Sequence, residues 1–533
     1  MTQSRGPGLT GGAAVVRTLA AHGVDLVLGI PGTHSLELYR YLDDSGIRHV
    51  VTRHEQGAGY AADAYARVTG RPGVVLTTSG PGITNAVTAA ATAYADSVPL
   101  LLVSPGVPRG MEHADVGWLH EVKDQSAALD AVCAWSRRVG SADEAAEAVA
   151  EAFAFFASSR PRPVHVEVPV DVLDGPWEGE AAAVRAAARP EPDPAQVALA
   201  AGMLASASRP AMVLGGGAVN ASAEARAVAE AYDLPVVTTV NGKGVLPESH
   251  PLSLGTSIRL PAAQAFLGEA DALAIVGSEL GDSDLWGGSV APSGPVVRID
   301  VDPAQLDKNL IGDVHLHADA AAALRRLVEA AGPGTGAGRA ERGAERVAGL
   351  RPRLAAEVDA DGRPWQALHD AVAAVLPPDG VVSGDSSRVS YLGTVHQLPL
   401  DGPRRFVYPP GYATLGYGLP AAIGAALAGR PTVALVGDGA FAFSMAELLT
   451  AAEQRLALPV VVVNDEGYGE IRAQMTSRGI APLGVDLLTP DLPALAGACH
   501  CAGVRLDGTD GLADALTAAW QADRPTLIEV RTG

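Results

Sequence analysis

One stretch, residues 431–474, constrains the fold more than any other: PTVALVGDGAFAFSMAELLTAAEQRLALPVVVVNDEGYGEIRAQ. Residues 432–436 form a short apolar run that stops at Gly437-Asp438-Gly439, as a buried strand ending in a turn does. Ser444 with Glu447 three residues on has capping-box spacing, and residues 445–456 carry helical apolar spacing. Residues 459–463 read as a second buried strand that ends at Asn464-Asp465. Strand, helix and strand within about thirty residues make a βαβ unit with parallel strands. Their carboxyl ends open on one edge of the sheet, where such folds bind ligands, so Asp438 and Asp465 are expected to face one crevice. Two hard oxygen ligands beside a carbonyl-exposing glycine turn suit Mg²⁺ that keeps positions for phosphate oxygens. Taken singly, Asp438 would be a turn residue and Asp465 a loop residue. Two strand ends of matching polarity favour the metal.

A chain of 533 residues predicts about three domains of ordinary size. Hydrophobic residues at 48% and charged residues at 19% supply ample core and exclude a disordered or collagen-like chain. The net charge of −21 argues against nucleic acid or an anionic membrane surface as partner. No apolar run reaches the length of a membrane span, and the N-terminal MTQSRGPGLTGG has no signal-peptide core. Cys133, Cys499 and Cys501 cannot build a disulfide framework. Cys499-His500-Cys501 looks metal-like, but no second ligand pair is near it in sequence and core packing explains it better. A cytoplasmic enzyme is expected.

Residues 12–175 alternate helical patterns with apolar runs at 25–29, 49–52, 74–77, 100–104 and 164–168, which predicts a mostly parallel, doubly wound sheet. Residues 176–195 are rich in Pro and Ala and read as a linker. A second α/β set follows, with strands expected near 211–214, 235–239, 272–276 and 296–301. Residues 331–340 (AGPGTGAGRA) are a flexible break. The expected class is therefore α/β with three doubly wound, mostly parallel-sheet domains, at residues 1–175, 196–330 and 360–533. The first and third units share a strand–helix rhythm.

In the first unit, RHEQGAGYAADAYAR (53–67) stands at a strand's end and opens a helix. Glu55 falls near the helix N-terminus, where dipole complementation on the surface would explain it. The small residues after it indicate tight packing, and a carboxylate at a packed edge is also a functional candidate. This segment resembles the glutamate motif of the thiamine-diphosphate enzymes, and 437–467 resembles that family's diphosphate-binding signature: Gly-Asp-Gly, a helix and strand, then an Asn pair. The resemblance runs over about residues 12–530, with the motifs in the family's order. It implies a pyrimidine-binding domain, a central domain and a diphosphate-binding domain. It further implies that Glu55 bonds the pyrimidine of thiamine diphosphate and assists loss of the thiazolium C2 proton. The implied Mg²⁺ ligands are Asp438, Asp465 and the carbonyl of Gly467, with Gly437, Gly439 and Ala440 lining the diphosphate. The family most often has Asn where this chain has Asp465. Gly80-Pro81-Gly82-Ile83-Thr84-Asn85 matches the turn that lies against the cofactor and brings in Asn85. Thr414-Leu415-Gly416 matches the segment whose apolar side chain wedges between the cofactor rings, which would be Leu415. Asp385 and Ser386, at the end of a strand near 381–382, are candidates to face the diphosphate. Family architecture places the cofactor between Glu55 of one subunit and Asp438 of another, so a homodimer or homotetramer is expected.

Residues 276–286 (VGSELGDSDLW) lack the FAD-holding pattern of acetolactate synthases, so FAD is not expected. Residues 29–42, 118–121 and 465–472 resemble the branch that decarboxylates 5-guanidino-2-oxopentanoate (2-ketoarginine). There Glu470 would face the substrate pocket, where a buried carboxylate is costly unless a guanidinium pairs with it. Glu470 could instead bond Arg472, Tyr468 or a cofactor group. By the same resemblance Ile471, Thr33, His34 and His120 line the pocket, Thr33 orienting the substrate carboxylate and His34 or His120 moving a proton near neutral pH. The expected activity is non-oxidative decarboxylation of a 2-oxo acid that binds as a small-molecule substrate. The alternative is a carboligase of acetolactate synthase type.

Overall fold

The computed structural model describes residues 8–531, so most of the N-terminal MTQSRGPGLTGG segment (1–7) lies outside the described residues. Three parallel sheets organise the chain. The first contains β1 (Leu26–Gly29), β2 (Arg48–Val50), β3 (Gly73–Leu76), β4 (Leu100–Gly106), β5 (Trp135–Arg138) and β6 (Val164–Pro169), in the order β2-β1-β3-β4-β6-β5. The second contains β7 (Pro210–Leu214), β8 (Val236–Thr238), β9 (Ala272–Val276), β10 (Val296–Asp300) and β11 (Val314–His317), in the order β11-β10-β9-β7-β8. The third contains β12 (Val381–Gly384), β13 (Phe406–Val407), β14 (Thr432–Gly437), β15 (Pro459–Asn464), β16 (Ala502–Asp507) and β17 (Thr526–Arg531), in the order β13-β12-β14-β15-β17-β16. The first and third sheets are wound in the same order, strand for strand. In each, the chain leaves the first strand toward one side and returns on the other, so a crevice opens at the carboxyl ends of the first and third strands.

The central strands are buried at every position, as in β3, β4 and β15, because helices cover both faces. That burial is why their apolar runs stand out in the sequence. β5, β11 and β16 had no such run to reveal them: each has half-exposed positions along its length. Cys499 and Cys501 pack in the core of the third domain, and no cluster of three metal-ligating side chains occurs among the described residues. No helix there is long and apolar enough to cross a membrane. A cavity of about 600 Å³ lies along the carboxyl edge of the second sheet, with Arg67, Asp96, Arg160, Asn241 and Asp300 among its walls.

The helix expected at 445–456 is shorter, Glu447–Glu453, and Ser444 does not cap it. Its N-cap is Ala446, and the Ser444 hydroxyl is buried without a partner. Glu447 has a longer reach than a capping box requires. Its Oε1 accepts the backbone N–H groups of Arg53 and His54, each at 3.0 Å, and its Oε2 accepts the Thr450 hydroxyl at 2.6 Å. A carboxylate of the third domain thus fixes the residues just before the Glu55 helix. Gly57 has no room for a side chain because Glu447 occupies that space.

Glu447→Ala removes the acceptor of two partly buried N–H groups, worth about 0.5–1.5 kcal/mol each. The expected outcome is a clearly lower apparent melting temperature in calorimetry with unaltered far-UV circular dichroism; an unchanged melting temperature would show that the contact carries no stability.

Candidate active site

The half of the site in the first domain starts at the helix Glu55–Thr69, whose N-cap His54 accepts the Gln56 N–H. The Glu55 side chain is buried at the edge of the first sheet. Asn85, the last residue of the short helix Pro81–Asn85, donates from Nδ2 to Glu55 Oε2 at 2.9 Å. Oε1 accepts no hydrogen bond from the described residues and lies beside Gly82, where an added Cβ would sit 3.5 Å from it. The carboxylate is held at one oxygen and presents the other.

His34 and His120 approach the same loop. The imidazole Nδ1 of His34 is 2.6 Å from Ser79 Oγ, and the Nδ1 of His120 is 3.2 Å from the same atom. Their rings meet edge to face, 5.1 Å between centroids. Thr33 sits exposed beside His34 and makes no side-chain hydrogen bond among the described residues. Ser79 escaped the sequence reading because the turn Gly80-Pro81-Gly82 is what draws attention there.

The half in the third domain is built at the ends of β14 and β15. Asp438 is buried, and its Oδ2 accepts the Gly467 N–H at 2.9 Å. Its Oδ1 is buried with no hydrogen-bond partner. Burial, and then the neighbouring Asp465 carboxylate, push the Asp438 carboxyl up to about 6, partly offset by the N–H groups of Gly439 and Gly467. Two carboxylates kept this close, one with a bare buried oxygen, form a donor set that a cation completes. The glycines are sterically required. Gly467 has φ +153°, and a Cβ there would run into the carbonyl of Val485; at Gly439 it would meet the Tyr468 ring at 2.8 Å and the Gly467 carbonyl at 3.2 Å. Ala440 follows in the same buried turn. The residues fit Mg²⁺ held by Asp438, Asp465 and the Gly467 carbonyl.

Ser386 and Asp385 are placed differently from expectation. Asp385 faces inward and accepts the N–H groups of Gly416 at 3.2 Å and Gly418 at 2.7 Å, fixing the turn that carries Leu415. Burial pushes its carboxyl up to about 6. Among the described residues Ser386 bonds back to Asp385, whereas Ser387 accepts the Gly437 N–H at 3.1 Å and touches the Gly437-Asp438-Gly439 turn. Adjacent serines are indistinguishable by pattern. Leu415 is half-buried and precedes Gly416, whose φ of +84° only glycine adopts comfortably.

The expectation of a buried, unpaired Glu470 is also corrected. The helix Gly469–Ser477 has no buried residue, Ile471 is 45% exposed, and the Glu470 side chain is 36% exposed. Glu470 already has partners: Arg388 at 3.4 Å and Gln474 at 2.8 Å. Neither Arg472 nor Tyr468 bonds it; Arg472 pairs with Asp486. Within one chain, the described hydrogen bonds and ion pairs do not join Glu55, His34 or His120 to Asp438, Asp465 or Leu415.

A buried glutamate bonded by an asparagine, and an aspartate pair at a glycine turn, on two domains of the same winding, fit an enzyme that binds a diphosphate cofactor through a metal ion. Three thiamine pyrophosphate enzyme families match the chain: the N-terminal TPP binding domain over residues 9–128, the central domain over 197–327 and the C-terminal TPP binding domain over 390–530. The chain belongs to the thiamine pyrophosphate enzymes and depends on thiamine diphosphate. Among its relatives is a probable 2-ketoarginine decarboxylase of Pseudomonas aeruginosa, 43% identical over 98% of this chain and 94% of that protein. The large subunit of acetolactate synthase isozyme 1 of Escherichia coli is 33% identical over 88% of this chain and 84% of its own. A probable acetolactate synthase large subunit of Methanocaldococcus jannaschii is 31% identical over 98% and 92%.

Thiamine diphosphate added with Mg²⁺ should raise the melting temperature, a ligand at a hundred times its Kd contributing about 2.7 kcal/mol. In Asp438→Asn, which removes a charged ligand and keeps the shape, the Mg²⁺-dependent part of that rise should vanish. An undiminished rise would place the metal elsewhere.

Proposed function

We propose that the protein is a Mg²⁺- and thiamine-diphosphate-dependent decarboxylase of a 2-oxo acid, with 5-guanidino-2-oxopentanoate the first candidate substrate. The single observation that carries the reading is the Glu55 carboxylate, buried, held at Oε2 by Asn85 and presenting Oε1. A carboxylate so placed can hold a proton against a ring nitrogen of the cofactor. Bound thiamine diphosphate supplies an electron sink for the pair left behind when CO₂ departs. The chain's residues do the rest. Asp438, Asp465 and the Gly467 carbonyl would hold the metal and so the diphosphate, and Leu415 would support the cofactor rings. His34 and His120 hold and deliver the proton that the product takes up, and Thr33 orients the substrate carboxylate. The guanidinium substrate rests on the relative that shares 43% identity and on Glu470. Arg388 and Gln474 each contact one of its oxygens and the Tyr391 hydroxyl also bonds it, and a carboxylate with about four lone-pair sites keeps room for one further donor.

The working unit is a pair of copies. Val116, Trp118 and Leu119 are exposed just before His120, and Tyr412, Phe443 and Met445 are exposed around Leu415 and the Gly439 turn. Large apolar side chains bared beside both halves of the site suit an interface that covers them. Carboligation is the second reading, supported by the acetolactate synthase relatives. It diverges only after CO₂ is lost: an aldehyde as sole product supports the decarboxylase and a longer hydroxyketone the ligase. No role is assigned to FAD. The buried, unpaired Cys133, Cys499 and Cys501 suit a reducing compartment such as the cytoplasm.

Glu55→Gln should abolish exchange of the C2 proton on bound cofactor; exchange at the wild-type rate refutes the role given to Glu55. In a panel of cationic, aromatic and short-chain 2-oxo acids, wild type should release CO₂ fastest from the cationic one. Glu470→Gln should lose about tenfold or more in kcat/KM on that substrate alone, the scale of one charge-assisted bond. A cationic substrate no better than pyruvate removes the guanidinium assignment.

A further inference from the structure

We propose that Ser79 joins His34 and His120 into one proton relay, its hydroxyl passing a proton between the two imidazole Nδ1 atoms. Ser79 lies at the carboxyl end of β3 and His34 just beyond β1, the two strands that flank the crevice of the first sheet. Ser79 is 2% exposed, and among the described residues its hydroxyl has no partner other than the two rings. A hydroxyl owns one proton and donates once. With both rings neutral, Ser79 donates to one Nδ1, and the other Nδ1 must carry a proton and donate to Ser79. Two bare Nδ1 atoms would leave one without a donor; two Nδ1–H groups would leave the buried hydroxyl proton without an acceptor. The rings are thereby forced into opposite tautomers. One presents Nε2–H and the other a bare Nε2, an acid and a base.

The transfer balances. A proton binds the bare Nε2, that ring's Nδ1–H passes to Ser79 Oγ, the Ser79 proton passes to the second Nδ1, and the second ring releases its Nε2 proton. One proton enters and one leaves, and nothing is oxidised or reduced. The backbone is arranged for this contact at a cost. His120 has φ +65°, a strained value for a non-glycine residue. Gly80, at φ +57° and ψ −110°, leaves the space into which His120 packs, since a Cβ there would lie 2.5 Å from the His120 carbonyl. Gln125 locks the loop by accepting the Gly80 N–H at 2.8 Å. The charge environment keeps the His34 ring neutral, as the relay requires. Burial, and then the His120 ring, hold His34 below the ordinary imidazole range, partly offset by the Asp174 carboxylate. The relay rests on the proposed decarboxylation only for where its proton is spent.

The test is ¹⁵N NMR of the histidine-labelled full chain, with the two rings identified through His34→Gln and His120→Gln. Expected in wild type is one Nδ1–H and one Nε2–H tautomer, and in Ser79→Ala the loss of that opposition. The same tautomer on both rings in wild type overturns the relay, whatever the enzyme acts on. In turnover, Ser79→Ala should lower kcat roughly 100-fold, the lower end for general acid–base assistance. KM and cofactor affinity should hold, the pH profile should change shape, and Ser79→Thr, which keeps the hydroxyl, should recover most of the rate. Weakened cofactor binding, or no recovery in the Thr variant, would mark Ser79 as structural only and overturn the relay. Should wild type decarboxylate no 2-oxo acid, the functional reading falls while the NMR result still decides the relay.

Discussion

The placement of the Glu55 helix against the other two domains depends on a buried ion cluster at its far end. Arg67 reaches Asp63 at 2.6 Å and Asp96 at 3.0 Å, and donates to Asn241 of the central domain at 3.0 Å. Asp63 also accepts the Tyr417 hydroxyl at 2.6 Å, and Asp96 accepts the Gly411 N–H at 3.2 Å, both from the third domain. One guanidinium thus ties three domains together. Removing one partner from such a cluster strands a charge in the interior, typically at about 3–5 kcal/mol. The helix that carries Glu55 at its first position is anchored at its other end by Arg67.

From that anchor the geometry runs outward through a few side chains that never touch substrate. Glu447 fixes the backbone before Glu55, and Asp385 fixes the turn bearing Leu415. Gln56 donates to the Tyr60 hydroxyl at 2.7 Å, which in turn meets Thr414 at 2.9 Å, so the two turns are linked through the Glu55 helix itself. The buried carboxylates among these are raised by desolvation, and they persist because backbone N–H groups satisfy them. Asp438 is the exception. Its Oδ1 has no donor among the described residues, which suits the proposed cation.

Much of this was legible without coordinates, for a physical reason. Fully buried parallel strands need continuous apolar runs, and turns that bring backbone close to a ligand need glycine. Residues 432–436 with Gly437-Asp438-Gly439 therefore announce both strand and turn. The edge strands β5, β11 and β16 announced nothing, since one face or end of each meets solvent. Side-chain partners at long range were equally silent. Ser444 and Glu447 have capping spacing, yet Glu447 bonds residues almost four hundred positions earlier in the chain. Spacing within a helix carries no information about a neighbouring domain.

The class of fold, the order of the motifs and the chemical types at the site are each written in residues that are close along the chain, and a reading of the chain alone reaches them. Only the tertiary structure decided which serine serves which group. Ser387 and not Ser386 meets the Gly437 turn, and Ser79 stands between His34 and His120. It also decided that Glu470 stands half-exposed against Arg388 and not buried alone. These outcomes turn on side-chain direction and on contacts between distant segments. A one-residue step reverses which way a side chain points, and packing, which no local pattern encodes, selects the partner.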